Sequence, residues 1–345
     1  MPLPRNAQLW LGGYVRGRVR GAASHPPTVA RVWLTIADHF EPYRGNAPDS
    51  LARERVAVWH KTWPQIAARH RDARGCPPKY TFFYPQEEYR PWALDILAEM
   101  THAGIADVEV HIHHGGEGEA EFLDRMRVFL RRLRAVHGLL REQDGRVVFA
   151  FIHGNWALDN SFPGGLYCGL NNEITLLRDL GCYADFTMPS APSPTQSRMV
   201  NTIYWATDDP RLPRSFDTGT PVRPGENATG DLLMIPGPLG IRWKDRLLPR
   251  LEVGELAGQD PATPYRASRW LDLAPRVGDD LFLKLHTHGA WERNTGMLLE
   301  GGLDRTFALL GDECRRRGCE LRFASAWEMR QAVDRAALAP VRPGQ

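Results

Sequence analysis

Four apolar runs in this chain end on residues that bind metals or move protons. Residues 31–39 close on Asp38 and His39, and residues 108–114 close on His111, His113 and His114. Residues 147–153 close on His153, and residues 281–288 on His286 and His288. Seven of the twelve histidines therefore sit where a predicted strand gives out. Strand and helix patterns alternate along the chain, which restricts the fold to a mostly parallel sheet. In such folds the C-terminal strand edge is where ligands and chemistry gather. A metal centre is the simplest account of so many imidazole donors on one edge.

The periodicities predict strands at 32–37, 80–84, 108–113, 147–152, 182–187, 202–206, 231–235, 281–288 and 320–323. Helical spacing covers 51–69, 91–103, 119–140, 171–180, 265–273, 303–317 and 326–336. Residues 1–28, rich in Gly, Arg and Pro, read as an irregular lead-in, and 337–345 as a tail. Residues 29–336 form a single catalytic domain, interrupted by a Pro/Gly/Asp-rich excursion at 208–230. No GxGxxG follows a strand, so a closed or nearly closed α/β barrel is favoured over an open dinucleotide-binding sheet.

A net charge of +2 gives no reason to expect nucleic acid or an anionic membrane as partner. Five cysteines, an odd number without CxxC spacing, argue against a disulfide framework and against a structural zinc site. No signal peptide or membrane-length apolar segment is evident, so a cytoplasmic location is expected. The composition leaves the oligomeric state open.

Strand alternation sorts the donors. Glu109, His111 and His113 share one face, opposite Val108, Val110 and Ile112. Lys284, His286 and His288 likewise oppose Leu281, Leu283, Leu285 and Thr287. His153 shares its face with Val147, Phe149 and Phe151. Barrel strands turn their apolar face to the helices, so His111, His113, His286 and His288 are expected to point inward. A carboxylate with two or three histidines makes an open, water-bearing site for a divalent metal such as zinc. Such an ion lowers the pKa of bound water from about 15.7 toward about 7. His60, His70, His102 and His137 fall in helices and read as exposed. Asn155, Trp156 and Asp159, in the loop after His153, supply amide, indole and carboxylate groups suited to a sugar.

These residues resemble the polysaccharide deacetylase family, the NodB-like group related to carbohydrate esterases of family 4. Thr35 to Asp38 matches its first motif, which implies Asp38 as metal ligand. His113 fits the first histidine of the second motif, and Glu117 falls where the second would be. His111 and His114 are rival donors. Leu283 to His286 matches the Leu-x-Leu-His motif and implies His286 as general acid. Tyr183 to Thr187, Leu232 to Pro236 and Arg322 to Met329 follow in the family's order, so the likeness covers roughly residues 30–332. The family's base Asp falls on Ala37, and its third-motif Arg is replaced by His153 to Trp156. Base duty then passes to Glu41, His39 or Asp159.

The resemblance implies a distorted (β/α)7 barrel and a metal-dependent hydrolase of a carbon–nitrogen bond. Its expected substrate is an N-acetylated sugar or another small saccharide or amide, bound by His153, Asn155, Trp156, Asp159, Asp185 and His288. Two other readings exist. A glycoside hydrolase on a related barrel would use two carboxylates, with Asp38 and Asp185 as the pair. A non-catalytic carbohydrate-binding protein would keep the ligands without turnover.

Overall fold

The computed structural model describes residues 3–23, 29–244 and 248–340. Its strands are β1 (Arg31–His39), β2 (Tyr80–Pro85), β3 (Ala106–Ile112), β4 (Arg141–Gln143), β5 (Arg146–His153), β6 (Cys182–Asp185) and β7 (Tyr204–Ala206). They continue as β8 (Thr220–Pro221), β9 (Leu232–Met234), β10 (Gly240–Lys244), β11 (Leu248–Glu252), β12 (Arg276–Val277), β13 (Asp280–Thr287) and β14 (Glu320–Phe323). The α-helices are α1 (Ala7–Ala23), α2 (Asp49–Arg69), α3 (Pro91–His102), α4 (Glu119–Ala135) and α5 (Glu173–Leu180). The rest are α6 (Pro264–Leu273), α7 (Glu292–Met297), α8 (Leu303–Arg317) and α9 (Ala326–Leu338).

The main sheet runs β12-β13-β1-β2-β3-β5-β6-β9-β7-β8 and is parallel from β13 to β9. β14 and β2 pair in parallel with successive parts of β1, through Arg31 to Leu34 and Ile36 to His39 respectively. Parallel pairing throughout requires crossovers, and the helices supply them. The strand ends therefore share one edge. The ladder is an open path among the described residues. Across its two flanks, Lys284 Nζ on β13 donates to the carbonyls of Phe186 and Met188, both at 2.6 Å. This mixed α/β architecture agrees with the expected class.

The sheet has two apolar faces. On the outer face, Val32, Leu34 and Ile36 of β1 join Val108, Val110 and Ile112 of β3 in one core with Trp59 and Trp63 of α2 and Phe122 and Phe129 of α4. On the inner face, Trp33, Ala37, Phe83, Ile152 and Phe282 pack with Met329 and Val333 of α9. Helix α9 starts on a capping box between Ser325 and Glu328, which satisfies two N-terminal donors reciprocally.

The lead-in is a correction. Residues 7–23 are helix α1, not irregular chain. Trp10 is 4% exposed and packs with Ala191, Val200 and Leu239, so tertiary packing overrides the low helix propensity of the glycines. A Cβ at Gly13 would lie 2.7 Å from the Arg198 carbonyl, which explains a glycine in that helix face. The expected helix at 119–140 stops at Ala135, because Gly138 takes φ +66° and turns the chain. His137 is buried rather than exposed, with Nδ1 2.8 Å from Asp95 and Nε2 3.0 Å from the Tyr89 hydroxyl. The β10-β11 hairpin is not evident in the sequence, since its strands are only five residues each and, among the described residues, pair only with each other.

Candidate metal centre at the strand edge

Glu41, just past β1, is the hub of the inner-face cluster. Its Oε1 lies 3.4 Å from His111 Nε2 and 3.3 Å from His113 Nε2. Its Oε2 accepts from Arg44 at 2.6 Å. Donor atoms of Glu41, His111 and His113 lie within 4.8 Å of one another, and so do those of His39, Glu41 and His288. The His39 ring centroid is 5.0 Å from His111, 4.8 Å from His288 and 6.3 Å from His286. Strand alternation brings these side chains together: His39 and Glu41 continue the Trp33, Thr35, Ala37 face.

Hydrogen bonds on the far ring atoms orient the imidazoles. His111 Nδ1 is 2.8 Å from the Ile152 carbonyl and donates to it, which turns Nε2 toward Glu41. His113 Nδ1 is bonded to Glu87. Gly154 lets His113 approach closely, since a Cβ there would meet the His113 ring and come 2.6 Å from the Ile112 carbonyl. Burial pushes His39 and His286 well below the usual histidine range and His288 down to about 4. Burial works the same way on His113, but its bonds to Glu41 and Glu87 prevail and raise it to about 10. Burial would raise the Glu41 carboxyl, yet the bonds to His111 and His113 hold it far below the usual range.

Two expected ligands are elsewhere. Asp38 lies on the outer face with Leu34 and Ile36, fully buried, where Oδ2 accepts from the Tyr80 hydroxyl at 2.9 Å and Oδ1 from the Gly289 amide at 2.6 Å. Burial raises it to about 8. It belongs to no donor group among the described residues. The motif aligns the residue type but not the face: alternation, applied to β1 as to β3, selects His39. Glu117 does not join His113 either; it sits 3.4 Å from His114 Nδ1 and bonds Arg125 at 2.6 Å.

The expected substrate groups divide as well. Trp156 is at the centre, its ring 5.9 Å from His39 and 6.0 Å from His288, and Asn155 beside it is exposed. His153 is fully buried on the outer face and meets Glu173, not substrate. Asp159 is equally withdrawn, because its Oδ2 accepts from the Ser215 amide at 2.5 Å and anchors the 208–230 excursion. It is no base at this centre. Asp185 accepts from the amide and hydroxyl of Thr187 at 2.9 and 2.7 Å. Asp38 and Asp185 are thus both engaged inside the protein. His286 is buried at the centre's flank with an unpartnered Nδ1.

Sequence reasoning does not reach Glu87, Cys168 and Glu173. Glu87 follows the end of β2, on the same edge as the histidines, and the strand pattern gives out at Pro85 before reaching it. Glu173 opens α5 and looks like any acidic residue at a helix N-terminus. His114, His153, Cys168 and Glu173 form a further group of buried donors within 4.8 Å of one another. The strand-end histidines therefore serve two clusters, one on each face of the sheet.

No family model matches the chain, and no curated protein matches it. Among solved structures it is similar to the 4-alpha-glucanotransferase from Thermococcus litoralis, with a TM-score of 0.41 and 12% identity. The match covers 88% of this chain and spans 40% of that one. A likeness of that size carries no argument about activity. No helix among the described residues is long and apolar enough to cross a membrane.

Proposed function

We propose that the protein is a metal-dependent hydrolase of an amide bond, acting on an N-acetylated sugar, and a divergent relative of the polysaccharide deacetylases with their barrel architecture. The observation that carries this reading is the convergence of Glu41, His39, His111, His113 and His288 at the strand edge, beside the indole of Trp156. Glu41, His111 and His113 would hold the ion, and His39 and His288 form a second donor group with the same Glu41. A nitrogen and carboxylate donor set suits zinc. When bound, such an ion acidifies water and polarises an acyl oxygen.

The chain's own groups do the rest. Glu87 and the Ile152 carbonyl fix the His113 and His111 rings. Trp156, beside His39 and His288, offers an apolar face to a sugar ring. His286, neutral at rest with Nδ1 free of partners, would take up the proton released by the attacking water and pass it to the departing nitrogen.

Metal analysis and acetate release from a panel of N-acetylated sugars test the proposal. Glu41→Gln should lose about one metal equivalent and at least about a hundredfold in activity. Asp38→Asn should keep the metal. The reverse result, with metal lost from Asp38→Asn and kept by Glu41→Gln, refutes the assignment. New reducing ends without acetate would mark a glycoside hydrolase, and bound metal without any turnover a binding protein.

A further inference from the structure

A second cluster of donors lies on the outer face of the sheet, between β3, β5 and α5. We propose that His114, His153, Cys168 and Glu173 form a closed, four-ligand metal site of the structural zinc type, separate from the centre at the strand edge. The side chains of His114, His153 and Glu173 are fully excluded from solvent, and Cys168 is buried. His114 Nε2 lies 3.0 Å and His153 Nε2 3.4 Å from Glu173 Oε1, and Cys168 Sγ lies 3.4 Å from Glu173 Oε2. A tetrahedral ion with bonds of about 2.0–2.3 Å has ligand–ligand edges of about 3.3–3.7 Å. The donors already stand near that spacing.

Lone-pair direction adds an independent argument. His153 Nδ1 is 2.5 Å from the Gly154 carbonyl and donates its proton there. Its Nε2 lone pair then faces Glu173 and has no hydrogen-bond partner. Two acceptors opposed in a dry interior repel unless a cation lies between them. His114 Nδ1 also has no hydrogen-bond partner and lies 3.4 Å from Glu117 Oε1.

Charge balance agrees. A Cys168 thiolate and a Glu173 carboxylate neutralise a divalent cation, and binding sends the thiol proton to solvent. Four protein donors leave no position for water, so the site is structural rather than catalytic. The ion would tie the loop carrying Trp156 to the ends of β3 and β5. The absence of CxxC spacing does not exclude it, because three of its ligands are not cysteine.

Cobalt(II) exchange into the full-length protein tests this site apart from activity. A thiolate-to-cobalt charge-transfer band is expected in the wild type, retained in Glu41→Gln and absent in Cys168→Ser. Metal analysis should show about one equivalent fewer in Cys168→Ser than in wild type. Should that variant fail to fold, the wild-type spectrum decides, since Cys168 is the sole cysteine in any donor group among the described residues. No thiolate band at saturating cobalt, or equal metal in wild type and folded Cys168→Ser, overturns the proposal and leaves a His114–Glu173 ion pair in its place.

Discussion

At the scale of residues, the side of the strand a donor occupies decides its role. Asp38 and His39 are neighbours in sequence, yet one is locked between Tyr80 and Gly289 and the other faces His288. His113 and His114 part in the same way, toward Glu41 and Glu173 respectively. Asp185 shows what burial does to a group with a purely internal role. Its pKa rises from 3.8 to about 7, with burial the main cause and the Thr187 bonds opposing it. Between those values the folded chain keeps a proton that the unfolded chain has released. The stability this group contributes is therefore present at low pH and lost as pH rises through about 7. Each tenfold difference in proton affinity between the folded and unfolded chain is worth about 1.4 kcal/mol. Urea midpoints at about pH 5 and about pH 8 should fall further apart in wild type than in Asp185→Asn. Equal differences in the two proteins would contradict the assignment.

At the scale of elements, close approaches set the site. The turn after β5 passes so near the end of β3 that only Gly154 fits beside His113. Gly154→Ala should cost about 1–3 kcal/mol through overpacking and also weaken metal binding, because the His113 ring must move. Unfolding and metal titration measured together check this; a stability loss with unchanged metal affinity would show that His113 is no ligand. Helix α1 is held by packing rather than propensity. Trp10→Ala should destabilise by about 3 kcal/mol, read from denaturant unfolding. A negligible change would mean that α1 is not docked through Trp10. The main strands and helices are legible in the sequence because their apolar periods are strong. β1, β13 and β14 fall within one or two residues of expectation, whereas α1 and the β10-β11 hairpin have patterns that locally resemble loop.

At the scale of the molecule, a buried amine bridges the sheet's two flanks. Lys284 donates to two carbonyls, and burial lowers its pKa to about 7. Lys284→Met should destabilise by roughly 2–4 kcal/mol, because two buried carbonyls lose their partner. A urea midpoint equal to that of wild type would show that water replaces the amine without loss. Alternation of strand and helix was enough to establish a mostly parallel sheet with its donors on one edge, since periodicity is a local property written residue by residue. Period-two alternation also assigned His111 and His113 to the inner face correctly. It could not reveal that Glu87 backs His113, that Glu41 joins two histidine groups, or that Cys168 and Glu173 meet His114 and His153. Those pairings join residues far apart in the chain, and only packing of the helices and loops against a particular face of the sheet fixes their distances.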